Sequence, residues 1–346
     1  MSEAEVICER RGAAGLITLN RPQALNALTL TMVREMRRAL DAWETDPAVT
    51  RIVVTGAGGK AFCAGGDIRR LYELGKAGRQ AEALAFWREE YELNLRIQRY
   101  PKPYIALIDG IVMGGGVGVS LHGSHRVAGE RYLFAMPEVG IGFFPDVGAT
   151  YALPRLPGET GTYLALTGER IRQADGLALG LATHAVRSDA MDGVREALVS
   201  GEPVDEVLAR QATDPGPAPL EAHRAVIARA FAGSSVPEIV RALEAEPSEF
   251  AHHCAATMRA KSPTSMALAL QQMRRGATLD FAEAMRTEFR IVSRICEGHD
   301  FYEGVRAVII DKDGAPRWQP ADLEAVDPGL IERHFAPLGA DELKVA

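Results

Sequence analysis

The chain has only four cysteines, Cys8, Cys63, Cys254 and Cys296, in 346 residues, and none stands in a CxxC or finger-like spacing. That scarcity excludes a disulfide framework and the usual zinc-finger ligand sets, and fits free thiols in a reducing compartment. No apolar run approaches the ~20 residues of a membrane-spanning helix. The opening MSEAEVICERRG lacks the apolar core of a secretory signal and runs into a strand-like segment. The expectation is a soluble, cytoplasmic protein with no membrane partner. A basic excess is also missing: 39 Lys and Arg face 46 Asp and Glu, a net charge of −7. This argues against nucleic acid as a partner, because phosphate contacts need a concentrated basic surface. It leaves open an anionic small molecule held by local cations or backbone N–H groups. The familiar glycine signatures fail as well. No cluster fits G-x-G-x-x-G, GAGGKA (56–61) lacks the phosphate-loop spacing and its Ser/Thr, and GVSLH (118–122) ends in His where a serine-hydrolase elbow needs Gly.

What is present is an ordinary globular balance, with 47% hydrophobic and 25% charged residues. GLITLN (15–20) and RIVVT (51–55) read as short buried strands, and PYIALIDGIVM (103–113) as a longer one. Residues 28–43 place Met32, Met36, Leu40 and Trp43 at helical spacing, with Thr29 or Thr31 as N-cap. A helical stretch near 78–99, a strand around 125–135 and two helical stretches over 159–181 follow. Strand, helix and strand in succession give an α/β class with crossover connections. The proline- and glycine-rich DPGPAPL (214–220) precedes a segment with helical periodicity and few strand signals. We therefore expect a core domain over residues 1–210 and a mainly helical region over 211–346, with no internal repeat.

Two glycine clusters follow buried strands, AFCAGGDI (61–68) and GIVMGGGVG (110–118). Glycine lets backbone approach a ligand closely, and the second cluster precedes the helix-like VGVSLHGS, whose first N–H groups are free. Two such groups aimed at one carbonyl oxygen form an oxyanion hole; tight turns with close packing are the plainer alternative. Two acids stand out nearby. Glu138 lies among Phe134, Ile141, Phe143 and Phe144, company that disfavours a charged carboxylate and raises its pKa toward a useful acid or base. Asp146 precedes VGATYAL, for which it could serve as a first-turn or N-cap acid. His252-His253-Cys254 invites a metal reading, but neighbours on a helix point in different directions. Arg69-Arg70 reads as a solvated helix face.

Taken in order, RPQALNAL (21–28), AFCAGGDI, the Pro-Lys-Pro-led strand, GGG and MPE resemble the enoyl-CoA hydratase/isomerase (crotonase) superfamily. The resemblance implies a spiral of ββα units that binds an acyl-CoA. Its oxyanion-hole N–H groups would be those of Gly66 and Gly115, and Asn26, Ala27, Ala64, Gly65, Asp67, Ile68 and Gly114 match its substrate-binding positions. Hydratases of that family carry two catalytic glutamates. Here Gly118 stands at the first position, Glu138 is retained at the second, and Asp146 follows Pro145 where hydratases have glycine. FWREEYELN (86–94), FAMPEVGIGFFPDVGATYALPRL (134–156), LTGERIRQADGLALGLATH (166–184) and FYEGVRAVIIDKDGAPRWQPADL (301–323) resemble the 3-hydroxyisobutyryl-CoA hydrolase branch. Ala149, where that branch often has glycine, is a small departure.

The resemblance implies hydrolysis of a short branched 3-hydroxyacyl-CoA, a reaction of valine catabolism. Glu138 and Asp146 would be catalytic and Glu90 would bind the hydroxyacyl group. No metal or redox cofactor is implied, since CoA enters with the substrate. Relatives commonly form trimers or hexamers, so a homo-oligomer is compatible with the resemblance. The rivals are an enoyl-CoA hydratase or isomerase using Glu138 alone, and a non-catalytic CoA-binding protein.

Overall fold

The computed structural model describes residues 4–345. By internal contacts the chain forms two compact units: residues 1–67, 89–135 and 170–219 make the first, and residues 68–88, 136–169 and 220–346 the second. The expected division at about residue 210 follows chain order, whereas these units interleave along it.

Among the described residues, the first unit holds nine strands: β1 (Val6–Arg11), β2 (Ala14–Leu19), β3 (Arg51–Gly56), β4 (Ala61–Cys63), β5 (Tyr104–Ile108), β6 (Ile111–Met113), β7 (His125–Ala128), β8 (Leu133–Ala135) and β9 (His184–Ala185). Six form one sheet in the order β1-β2-β3-β5-β7-β9, and three form another in the order β4-β6-β8. β1 pairs antiparallel with β2, and every other pairing is parallel. The consecutive pairs β3/β4, β5/β6 and β7/β8 each send their first strand to the larger sheet and their second to the smaller. This is a structural repeat that the sequence does not display. It also breaks two segments expected as single strands: 103–113 is interrupted at Asp109-Gly110, and 125–135 at 129–132. A buried apolar run does not reveal where one strand stops and its successor joins another sheet.

One face of the larger sheet packs Leu16, Val53, Ile105, Leu107 and Val127 against Met191, Val194 and Leu198 of the helix Met191–Ser200. The helix Leu30–Glu44 buries Met32, Val33, Met36, Leu40 and Trp43. It starts where its side chains predict, with Thr29 Oγ1 accepting the Met32 N–H at 3.2 Å.

In the second unit, the described residues beyond 220 contain helices and no strand. Five of its helices begin at side-chain caps: Ser235, Ser248, Ser262, Asp280 and Asp327 each accept a first-turn N–H. Trp87 stacks on Phe143 with ring centroids 5.6 Å apart, and Phe301 lies 5.5 Å from Phe143. No helix among the described residues is long and apolar enough to cross a membrane.

Candidate active site

In the first unit both glycine clusters emerge from the carboxyl ends of neighbouring parallel strands, β4 and β6. A parallel bridge joins Gly66 to Leu28. It uses the Gly65 carbonyl, which accepts the Leu28 N–H at 2.9 Å, and the Asp67 N–H, which donates to the Leu28 carbonyl at 2.9 Å. The Gly66 N–H between them is directed away from Leu28. Gly115 is the first residue of a helical turn, Gly115–Gly118, so its N–H has no partner within that turn. The turn is shorter than the helix expected from VGVSLHGS, and the favourable end effect reduces to these few N–H groups. Gly114, at φ 46°, holds the left-handed conformation that only glycine adopts cheaply.

Glu90 belongs to the same cluster. A Cβ at Gly115 would meet Glu90 Oε1 at 2.6 Å, so the carboxylate lies directly against the glycine. Glu90 is buried, which its place in a charged REE run hides.

The remaining expected contacts divide. Asn26 is fully buried, with φ 58°. Its Oδ1 accepts the Arg21 N–H and its Nδ2 donates to the Ala57 and Ala61 carbonyls, each at 2.9 Å. That side chain is committed to holding the loop ahead of β4. The Ala64 N–H donates to the Leu25 carbonyl at 3.0 Å. Arg21 donates to the Ala27 carbonyl at 2.7 Å and pairs with Asp67 at 3.0 Å. Arg21 thus ties the 21–28 loop to the first glycine cluster. Its place in RPQALNAL alone does not reveal this tie. Gly65 and Gly114 are buried, Ile68 half-buried.

The second unit contains the acids. Glu138 opens the short turn Glu138–Ile141 and is 7% exposed. Its Oε2 has no hydrogen-bond partner among the described residues. The Phe143 N–H donates to the Glu138 carbonyl at 3.0 Å, which keeps Phe143 and Phe144 beside the turn. Burial pushes the Glu138 carboxyl well above the ordinary range, and the charge of Asp146 pushes it further.

Asp146 is also buried. The capping alternative does not describe it: the helix Ala149–Ala152 has Gly148 at its N-cap and no side-chain cap bond. The acid serving that turn is Glu288, from the helix Phe281–Ile295. Its Oε2 accepts the Gly148 N–H at 2.8 Å and its Oε1 the Thr150 N–H at 2.9 Å. Bonds of this kind to a neutral carboxyl contribute about 0.5–1.5 kcal/mol each. They act on a segment containing Val147 at φ 53°, a conformation costing a β-branched residue about 1–3 kcal/mol. Gln272 braces the same segment, its Nε2 donating to the Pro145 carbonyl at 2.9 Å and to Thr150 Oγ1 at 2.8 Å. Burial, then the charge of Asp146, push Glu288 up to about 8.

Sequence reasoning missed Glu288, though a signal existed. It interrupts the buried stripe Phe281, Ala284, Met285, Ile291, Val292 and Ile295 of an amphipathic helix. An acid on such a stripe needs a reason. The His252–His253–Cys254 run separates as helical geometry requires: Cys254 is buried, and His253 Nε2 lies 2.7 Å from Glu169 Oε1. Arg69 and Arg70 are exposed.

Residues 14–335 match the family model described as enoyl-CoA hydratase/isomerase. Curated relatives include the mitochondrial 3-hydroxyisobutyryl-CoA hydrolase of Rattus norvegicus, 47% identical over 99% of this chain and 91% of that protein. The Homo sapiens protein of the same name is 46% identical over 98% of this chain and 90% of its own length. These names carry a mitochondrial location and lend no support to the expected cytoplasmic one. Among solved structures, a carnitinyl-CoA dehydratase from Mycobacterium thermoresistibile superposes with a TM-score of 0.95 at 42% identity, covering 99% of both chains. An enoyl-CoA hydratase from Rhodobacter sphaeroides 2.4.1 gives 0.93 at 40% identity, covering 99% of this chain and 100% of that one.

Proposed function

The chain belongs to the enoyl-CoA hydratase/isomerase family, and from that premise we propose that it hydrolyses short branched 3-hydroxyacyl-CoA thioesters, 3-hydroxyisobutyryl-CoA first among them. The repeated two-strand step of the first unit is the crotonase spiral of that family. The proposed role is a step of valine catabolism in a reducing compartment, where the four free cysteines stay reduced.

The observation that carries the reading is the replacement of one acid by another. Gly118, buried in the single turn after the glycine cluster, has no proton to transfer where a two-glutamate hydratase needs one. Glu138 is retained and Asp146 is buried with it in the second unit, each within electrostatic reach of the other.

In the proposed mechanism the Gly66 and Gly115 N–H groups donate to the thioester oxygen, stabilising the tetrahedral oxyanion. Glu138 activates the attacking water. A carboxyl with raised proton affinity is a stronger base once ionised, and the proton it takes can return to the departing CoA sulfur, a thiol of ordinary pKa ~8.5. Direct attack by Glu138 through an anhydride is the other route to the same products. Asp146 orients the 3-hydroxyl or assists protonation of the thiolate, and Glu90 binds the hydroxyacyl group. The route uses no metal or redox cofactor.

The solved structures named above carry dehydratase and hydratase names, which favours hydration as the second reading. Incubation with 3-hydroxyisobutyryl-CoA and, separately, crotonyl-CoA separates the two. Free thiol released from the first supports hydrolysis; loss of enoyl absorbance from the second without thiol overturns it. Tight CoA binding with no turnover of either would make this a binding protein.

A further inference from the structure

We propose that Glu288 is a positioning residue for hydrolysis: its carboxyl group holds the segment 146–150 in the one conformation that presents Asp146 for the reaction. The inference rests on the hydrolase reading, in which Asp146 handles the 3-hydroxyl or the leaving thiolate. Glu288 is fully buried, on the apolar face of its helix. Both of its oxygens accept backbone N–H groups, from Gly148 and Thr150, the residues two and four beyond Asp146. Between them the chain turns through Val147 at φ 53° and Gly148 at φ 93°. A valine resists that conformation, so it persists only where the surroundings hold it. Glu288 and Gln272 supply that hold from two different helices. Gln272 braces the Pro145 carbonyl ahead of Asp146, and Glu288 braces the N–H groups after it. Glu288 touches no reacting atom in this scheme; it acts through Asp146, whose charge it feels.

The test compares wild type with Glu288→Gln and Glu288→Asp. Glutamine keeps the shape but turns an amide NH2 toward one of the two N–H donors; aspartate keeps the carboxyl group and withdraws both oxygens by one methylene. Two readouts are taken: thiol release from 3-hydroxyisobutyryl-CoA, resolved into kcat and KM, and amide hydrogen exchange at Gly148 and Thr150. The expected result is a kcat lowered about 10–100-fold with KM within threefold, in step with faster exchange at those two amides and unchanged exchange in the helix Leu30–Glu44. A variant that exchanges faster throughout has lost general stability, and the other variant then decides. Wild-type kcat in either folded variant, or unchanged exchange at Gly148 and Thr150, overturns the proposal. If wild type releases no thiol, the hydrolase reading fails by itself, and the exchange data alone decide whether Glu288 holds the segment.

Discussion

Replacing Glu138 with glutamine should abolish most activity while leaving the fold as stable as before, or more so. The side chain keeps its volume and can no longer accept a proton. Loss of a positioned general base removes about 10²–10⁴-fold in rate, or roughly 3–5 kcal/mol of transition-state stabilisation at 1.36 kcal/mol per decade. Stability should move the other way. Glu138 is buried, its Oε2 has no hydrogen-bond partner among the described residues, and it faces the charge of Asp146. Ionising it in the folded protein is costly, and a neutral amide removes that cost. The wild-type rate should also carry the signature of this group. Glu138 works ionised and its proton affinity is raised, so kcat/KM falls as pH drops through a value well above the ordinary 4.5. The assay is continuous thiol release from 3-hydroxyisobutyryl-CoA across pH, with thermal unfolding of both proteins in the same buffers. Activity of Glu138→Gln within threefold of wild type would refute the assignment. A large loss of stability at neutral pH would show instead that the acid is part of the framework.

Further expectations concern both units. Gly115→Ala sets a methyl 2.6 Å from Glu90 Oε1, so Glu90 or the glycine turn must shift. Steady-state kinetics should show kcat/KM reduced at least 100-fold, and unfolding a loss of about 1–3 kcal/mol from overpacking. Asn26→Asp replaces the amide that donates to the Ala57 and Ala61 carbonyls with an oxygen facing both. Denaturant titration should show a loss of about 2–4 kcal/mol, from two broken bonds and their unsatisfied buried acceptors. Asp146→Asn leaves the burial that raises Glu138 and Glu288 and removes the charge that raises them further. Whatever rate remains should show its acid limb displaced to lower pH, and an unmoved limb would contradict that coupling. Folded Glu288 keeps its proton to about 8 against an ordinary 4.5. The folded state therefore binds more protons across that window, and stability falls as pH rises through it. Glu288→Gln has nothing to titrate there, so its unfolding midpoint should depend less on pH over the same range.

Much of the fold was legible because it rests on local chemistry. Thr29 or Thr31 as cap, with Met32, Met36, Leu40 and Trp43 at helical spacing, marks a capped amphipathic helix, and the structure places one at Leu30–Glu44 with Thr29 as the cap. The strand cores at 15–20 and 51–55 are equally plain, because a short apolar run ended by turn residues has few other uses. The limits appear where two answers share one local pattern. IALIDGIVM continues its apolar character through Asp109-Gly110, yet the chain there leaves one sheet for another. VGVSLHGS has helical composition, yet only Gly115–Gly118 forms the turn.

By itself, the sequence determined the family, the two glycine loops and the exchange of Gly118 and Asp146 for a hydratase's residues, since each is a matter of residue identity at a motif position. Tertiary structure decided which of those residues have side chains to spare. Asn26, expected at the substrate, is consumed by the Ala57 and Ala61 carbonyls. Glu90, inside a charged run, is buried against Gly115. Glu288 holds Gly148 across 140 residues of chain. Burial and hydrogen bonding between distant segments set the proton affinity and freedom of an acid, and neither is written in the residues beside it.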